Sequence, residues 1–186
     1  GNAGNDLILG GVSGDFIYGG NSAAAPVAGT DKDVILGDNG QILNAMIDAT
    51  VTIETIQTTE QSISAGDSID SVGGNDTIEG NEDDDIILGG LADDQIAGNT
   101  GRDVILGDNG ILTTVVNDGT TLTILKTETD STVLGGVDTL TGNEADDVIF
   151  GSDAGDMISG NAGNDVIFGD NGEVNGLSHN GTTATY

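Results

Sequence analysis

Residues 71–106 decide the fold, and they read SVGGNDTIEGNEDDDIILGGLADDQIAGNTGRDVIL. The stretch divides into four units of nine residues, which we call frames, and the sixth residue of every frame is Asp. Similar sets of four frames occupy residues 1–36 and 133–168, so the chain contains three blocks of four frames. A fixed period indicates a repeat architecture in which each unit buries its apolar side chains against its neighbours.

The charge of the chain indicates that it needs cations from solution. The 186 residues include 32 acidic and three basic side chains, which gives a formal net charge of −29 at pH 7. Such a charge is typical of disordered acidic polymers, of surfaces adapted to high salt and of proteins that bind metal ions. Disorder does not explain why 35% of the residues are hydrophobic, with Ile, Val and Leu at fixed intervals.

The same composition limits the chemistry of the partners. The chain has no cysteine, so disulfides and thiolate metal sites are excluded and hard oxygen ligands remain. We expect no nucleic-acid partner, because nucleic acid is also negatively charged. No apolar run is long enough to cross a bilayer, so we expect no membrane insertion.

Each frame is a variant of G-G-x-G-x-D-x-U-x, where U is a large aliphatic residue. The Asp is replaced only in the frame at 19–27, by Ala24. Glycines at positions one, two and four predict positive φ and close contact between loops, and the triplet after Asp predicts a strand of about three residues. Position eight is predicted to face the interior; its occupants are Ile8, Ile17, Ile35, Ile78, Ile87, Ile96, Ile105, Leu140, Ile149, Ile158 and Ile167.

This pattern resembles the RTX, or hemolysin-type, calcium-binding nonapeptide repeat, and the resemblance covers all three blocks. It implies an all-β fold, a calcium-bound parallel β-roll or β-solenoid with two frames per coil. It further implies that each Ca²⁺ lies between loops eighteen residues apart and is bound by backbone carbonyls and by the position-six Asp of both loops. Those aspartates are Asp6, Asp15, Asp33, Asp76, Asp85, Asp94, Asp103, Asp138, Asp147, Asp156 and Asp165.

The same implied spacing predicts which aspartates face each other. The predicted pairs are Asp15 with Asp33, Asp76 with Asp94, Asp85 with Asp103, Asp138 with Asp156, and Asp147 with Asp165, while Asp6 faces Ala24 and forms only half a site. Asp and Gly also favour turns without any metal, but turn formation alone does not explain a spacing of nine.

The phrase GDNG follows each block, at 37–40, 107–110 and 169–172. It keeps the start of a frame but lacks the position-six Asp, so we interpret it as a loop that supplies oxygens to the last calcium and then leaves the coil. Its acidic residues, Asp38, Asp108 and Asp170, are further candidate ligands. The resulting organisation is block one (1–36), a β insertion (37–70), block two (71–106), a β-hairpin (107–132), block three (133–168) and a truncated hairpin (169–186).

The outward positions seven and nine differ between the two sides of the coil. In blocks two and three they are mostly polar or small in odd frames and apolar in even frames, as at Val148 and Phe150. The apolar side is therefore predicted to be covered, either by the inserted hairpins or by another chain.

The sequence favours a structural function over catalysis. The single histidine, His179, lies in a predicted turn, and no nucleophile elbow, phosphate-binding loop or zinc motif occurs. We therefore predict a calcium-binding repeat segment of a large secreted adhesin, surface-layer or filament protein, whose partners are neighbouring repeats or copies of itself. The alternative is the C-terminal secretion and folding domain of an RTX enzyme or toxin. The resemblance implies export by a bacterial type I system and folding at extracellular calcium concentrations.

Overall fold

The computed structural model describes residues 1, 4–20, 32–43, 51–58, 73–117, 122–129, 135–179 and 184–185, and these contain β-strands and no helix. In chain order the strands are β1 (Leu7–Leu9), β2 (Phe16–Tyr18), β3 (Val34–Leu36), β4 (Gly40–Leu43), β5 (Val51–Thr58), β6 (Thr77–Glu82), β7 (Ile86–Leu88), β8 (Gln95–Thr100), β9 (Val104–Leu106), β10 (Gly110–Asn117), β11 (Leu122–Thr129), β12 (Thr139–Glu144), β13 (Val148–Phe150), β14 (Met157–Ala162), β15 (Val166–Phe168), β16 (Glu173–His179) and β17 (Ala184–Thr185).

The strands of the frames form two parallel sheets. Sheet A has the order β1-β3-β7-β9-β13-β15, and sheet B has the order β14-β12-β8-β6-β2. After β3 the chain alternates between the two sheets from frame to frame, so two successive frames make one coil of a roll. The predicted all-β chain with parallel sheets is therefore confirmed.

The position-eight side chains fill the space between sheets A and B. They stack in register, as Ile35 does against Ile87 and Ile78 against Ile96. Ile35, Ile78, Ile87, Ile105, Leu140 and Ile149 are all completely buried in one apolar cluster. The predicted inward position is confirmed, except that Ile167 in the terminal strand of sheet A is 46% exposed.

The six strands outside the frames form sheet C, which is antiparallel and has the order β17-β16-β11-β10-β5-β4. Its strands come from all three predicted insertions, so segments far apart in the sequence become neighbours, as Leu112 does with Ile56. His179, which was predicted to lie in a turn, is instead the last residue of β16 and pairs with Leu122. The residues that follow it, 180–183, and the predicted hairpin turn at 118–121 lie outside the described residues.

Sheet C covers the outer face of sheet A. Ile56, Leu112 and Val174 of sheet C share an apolar cluster with Leu106 and Phe150 of sheet A. Strands β7, β9 and β13 are consequently buried at all three positions. Their sequences, IIL, VIL and VIF, are apolar throughout, as expected for parallel strands that are covered on both faces.

The order of the coils differs from the prediction at the start of the chain. Strand β3 pairs directly with β1, and β2 pairs with β6, while most of the frame at 19–27 lies outside the described residues. Asp33 therefore stacks on Asp6 and not on Asp15, and Ala24, the predicted neighbour of Asp6, lies outside the described residues. The predicted spacing assumed that every frame stacks in order, but the frame at 19–27 has Ala24 at position six and so has no carboxylate with which to extend a ladder.

Candidate metal sites

The position-six aspartates form two continuous ladders, one beside each parallel sheet. In each ladder the backbone N–H of one Asp donates to Oδ1 of the Asp in the next coil. Beside sheet A these bonds join Asp6 to Asp33 (2.7 Å), Asp33 to Asp85 (2.7 Å), Asp85 to Asp103 (2.9 Å), Asp103 to Asp147 (2.8 Å) and Asp147 to Asp165 (3.1 Å). Beside sheet B they join Asp15 to Asp76 (2.7 Å), Asp76 to Asp94 (2.8 Å), Asp94 to Asp138 (2.8 Å) and Asp138 to Asp156 (3.0 Å).

Some neighbours in the ladders are the pairs predicted from the spacing of eighteen residues, and others are not. The four predicted pairs within blocks two and three are adjacent in the structure. Neighbours across the insertions are much further apart in sequence: Asp94 and Asp138 are 44 residues apart, and Asp33 and Asp85 are 52 apart. The three blocks thus form one continuous roll.

The second carboxylate oxygen of the ladder residues has a different environment. Oδ2 is buried and accepts no hydrogen bond in Asp15, Asp76, Asp94, Asp103, Asp138, Asp147 and Asp156. A buried carboxylate oxygen without a partner is strongly unfavourable, because it has lost its hydration without compensation. A row of such oxygens is the property expected of cation ligands.

A glycine at position one leaves open the space beside each of these oxygens. A Cβ placed on Gly89 would clash with Oδ2 of Asp94 and with the carbonyl oxygen of Gly107 in the next coil. On Gly10 it would lie 2.8 Å from Oδ2 of Asp15 and would clash with the carbonyl oxygen of Gly37. A carboxylate oxygen and a carbonyl oxygen therefore converge on one space in coil after coil.

This set of donors fits Ca²⁺. Calcium accepts six to eight oxygen ligands in flexible geometry, including backbone carbonyls. Within the part of the chain that the structure describes, no three acidic or histidine side chains converge on one point. Each ion would therefore draw on the ladder aspartates and take most of its ligands from the backbone.

The electrostatics of the ladders also require a cation. Burial raises the pKa of Asp94 to about 10, and the carboxylates of Asp138, Asp76 and Asp38 add to the effect against the hydrogen bond from the Asp76 N–H. Burial likewise raises the pKa of Asp138 and of Asp147 to about 7. Because a nearby positive charge favours the ionised carboxylate, a bound divalent ion would reverse these shifts.

Positive φ angles occur at positions two and four of the frames and are not reserved for glycine. Asn81, Asn99, Asn143 and Asn161 occupy position two with φ between 68° and 85°. Ala92 and Ala145 both have φ of 77° at position four. The position-one glycines Gly80 and Gly89 do not have positive φ, so the prediction that position one needs this conformation is wrong. Glycine is needed there for space.

The three acidic residues of the GDNG phrases lie in two kinds of surroundings. Asp38 and Asp108 are buried, and both carboxylate oxygens of each accept backbone N–H groups. Burial raises the pKa of Asp38 to about 7 and that of Asp108 to about 8. Asp170 is exposed.

One charged cluster was not anticipated from the sequence. Asp84 Oδ2 lies 2.8 Å from Lys32 Nζ and 3.5 Å from Arg102 Nη2, and all three side chains are at most 13% exposed. Burial raises the pKa of Asp84, but the hydrogen bonds and charges of Lys32 and Arg102 outweigh it, so that pKa lies below its ordinary value. The sequence did contain a signal: the only basic residues of the frames both occupy position five.

The frame pattern is also recognised in comparisons with known protein families. The family described as RTX calcium-binding nonapeptide repeat (4 copies) matches at residues 1–23, 64–96, 88–110, 134–167 and 150–173, which together exceed half of the chain. The chain belongs to this RTX repeat family. RTX nonapeptide repeats bind Ca²⁺, and they are typical of proteins that bacteria secrete through type I systems.

The family assignment comes from the repeat pattern alone. No curated protein and no solved structure matches the chain. Among the described residues there is no helix of the length and apolarity needed to cross a membrane. The calcium assignment therefore depends on the RTX repeats and on the ladders of buried aspartates.

Proposed function

We propose that this chain is a calcium-stiffened structural module, a repeat segment of a large secreted adhesin, surface-layer or filament protein. It has no catalytic role in this proposal, and it folds on binding calcium outside the cell. The observation that carries the proposal is the continuity of the two aspartate ladders through all three blocks, across both insertions. A roll that continues unchanged past each insertion is suited to extension by further blocks.

The arrangement of the insertions supports a structural role. In the proposed organisation, three blocks of four frames share one roll and each insertion contributes a hairpin to a common covering sheet. Sheet C supports this, since its strands from different insertions pair with one another and pack on sheet A. The covering sheet buries the apolar face that the roll alone would expose.

Calcium supplies the cohesion of the proposed module. The ladders concentrate buried carboxylates that repel one another, and their second oxygens are without hydrogen bonds at Asp94, Asp103 and Asp138. Sites in extracellular modules bind calcium with Kd of about 10⁻⁴ to 10⁻³ M, far above cytosolic concentrations. The chain would therefore remain unfolded before export and fold after it.

The test is a calcium titration of the purified chain, followed by far-UV circular dichroism and small-angle scattering. At about pH 8 we expect a disordered spectrum in EGTA, a β spectrum at about 1 to 10 mM calcium, and a decrease in radius of gyration at the same midpoint. Magnesium at equal concentration is the control and should not produce the transition, because it requires a strict octahedron. A compact β spectrum in excess EGTA would contradict the proposal.

The structural module and the folding domain of an enzyme or toxin differ in what adjoins them. The full-length gene distinguishes them: further blocks of frames with similar insertions support the module, whereas an adjoining catalytic domain supports the alternative.

A further inference from the structure

The two insertions that separate the blocks each interrupt a frame after its second position. Gly37 and Asp38 still pair with the following coil, since their N–H groups donate to Leu88 O and Gly89 O at 2.9 and 3.1 Å. A Cβ on Gly37 would clash with Oδ2 of Asp76, the relation that Gly89 has with Asp94 in an uninterrupted frame. Gly37 and Asp38 therefore act as positions one and two of the frame that ends with Asp76.

The second insertion has the same construction. Gly107 donates its N–H to Phe150 O at 2.9 Å, and a Cβ on it would clash with Oδ2 of Asp138 and lie 2.8 Å from Gly151 O. Gly107 and Asp108 thus open a frame that Gly135 and Gly136 continue and Asp138 completes. The loop is formed by two segments that the insertion separates.

The Asp at position two joins these two segments. Oδ1 of Asp38 accepts the N–H of Gly74 at 3.1 Å, and Oδ2 accepts the N–H of Leu91 in the following coil at 2.6 Å. Asp108 does the same, with Gly136 at 2.7 Å and Asp153 at 2.9 Å. The two side chains are 3% and 2% exposed.

We propose that Asp38 and Asp108 are closing residues, which complete each interrupted frame by binding the N–H groups of the returning segment and of the next coil, and that they are not calcium ligands. Each of their oxygens receives an N–H donor, whereas Oδ2 of Asp76 and Asp138 receives none. This assignment is independent of whether the module belongs to an adhesin or to an enzyme.

Two comparisons within the chain support the proposal. Position two of the uninterrupted frames is held by residues with positive φ, such as Asn81 and Gly90, and neither Asp38 nor Asp108 has this conformation. The ladder spacing across the insertions is 52 residues in one case and 44 in the other, yet both closing residues make equivalent bonds. The register is therefore maintained by the closing residue and not by the length of the insertion.

The experiment compares Asp38→Asn with Asp76→Asn in the full chain at saturating calcium. Asn is almost isosteric with Asp but replaces one acceptor oxygen with an N–H₂ donor. For Asp38→Asn we expect the number of bound calcium ions, measured by equilibrium dialysis, to stay unchanged. Hydrogen exchange at the amide of Gly74 or Leu91 should become faster by on the order of tenfold, because a hydrogen bond to a charged group is lost.

The other variants complete the design. Asp76→Asn should lower the number of bound ions, and Asp108→Asn should accelerate exchange at Gly136 or Asp153 alone. Asp170→Asn is the matched control from the third GDNG phrase, and it should leave exchange at all four amides unchanged because Asp170 is exposed. Loss of bound calcium in Asp38→Asn equal to that in Asp76→Asn, or unchanged exchange at both Gly74 and Leu91, would overturn the proposal.

Discussion

At the scale of single residues, glycine meets two separate requirements in these loops. Positions two and four need a left-handed backbone, which Asn81 and Ala92 also adopt, with φ of 85° and 77°. Position one needs the absence of a side chain, because Gly89 faces the carbonyl oxygen of Gly107 and the carboxylate of Asp94. Positions two and four therefore tolerate other residues at the cost of modest strain. Position one does not, because a side chain there would overlap the oxygens of the proposed metal site.

Substitution of glycine by alanine at position one, with a position-five glycine as control, tests the steric requirement. Gly89→Ala should destabilise the calcium-saturated fold by about 1 to 3 kcal/mol, because its methyl group would overlap both oxygens. Gly155→Ala is the control: nothing lies within 4 Å of the added Cβ, so stability should change by no more than about 0.5 kcal/mol. Denaturant unfolding at saturating calcium measures both values, and equal effects of the two substitutions would contradict the steric argument.

At the scale of the strands, the two parallel sheets of the roll differ in their exposure. Sheet A lies between sheets B and C, so its strand β13 is buried at every position. Sheet B contacts the interior with one face only, and its strand β8 alternates between exposed, buried and half-buried residues over QIA. This difference explains why the sequence shows apolar triplets in even frames and alternating triplets in odd frames of blocks two and three.

Truncation of a buried side chain on sheet C measures how much this covering sheet contributes to the free energy of unfolding. Leu112 is completely buried against sheet A, so Leu112→Ala should lower the free energy of unfolding by about 2 to 5 kcal/mol. Met157, on the outer face of sheet B, is 70% exposed, and Met157→Ala should change the free energy of unfolding by less than about 0.5 kcal/mol. A Leu112→Ala effect as small as that of Met157→Ala would show that sheet C does not stabilise the roll.

At the scale of the whole molecule, protons and calcium ions compete for the same carboxylates. Burial raises the folded-state pKa of Asp76 to about 6, of Asp138 and Asp147 to about 7, and of Asp94 to about 10. Between the unfolded value of 3.8 and these values, the folded chain binds more protons than the unfolded chain. Without calcium, the stability that these four aspartates contribute is therefore fully present below the unfolded pKa and is lost as the pH rises through the folded-state pKa values. The pH dependence of the Asp84 contribution is opposite, because the pKa of Asp84 is lowered in the folded chain. Its contribution to stability is lost as the pH falls.

The resulting prediction concerns the chain in buffers freed of calcium by a chelating resin. The β signal in circular dichroism should be larger at about pH 5 than at about pH 8, since protonation removes the repulsion within the ladders. With calcium present, the midpoint of the calcium titration should rise as the pH falls from about 8 to about 6, because the ligands must be deprotonated. A calcium-free chain that is more folded at pH 8 than at pH 5 would contradict this assignment of the ladder charges.

The nine-residue period, the acidic sixth position and the inward eighth position were determined by the sequence alone, because each follows from a repeated local pattern. The two-sheet roll, the calcium chemistry and the apolar face of blocks two and three follow from that pattern and from the family that it resembles. All of these features can be predicted from the pattern of one frame and from its repetition along the chain.

Only the tertiary structure decided which frames are neighbours. Asp15 stacks on Asp76 and Asp94 on Asp138, across segments that no local pattern measures. It also placed the carboxylates of Asp38 and Asp108 where each accepts backbone N–H groups from two separate segments. The physical reason is that the frames are nearly equivalent, so that local pattern does not distinguish one stacking order from another. The choice depends on long-range closure of the coil, on the cover of sheet C and on the Lys32–Asp84–Arg102 cluster.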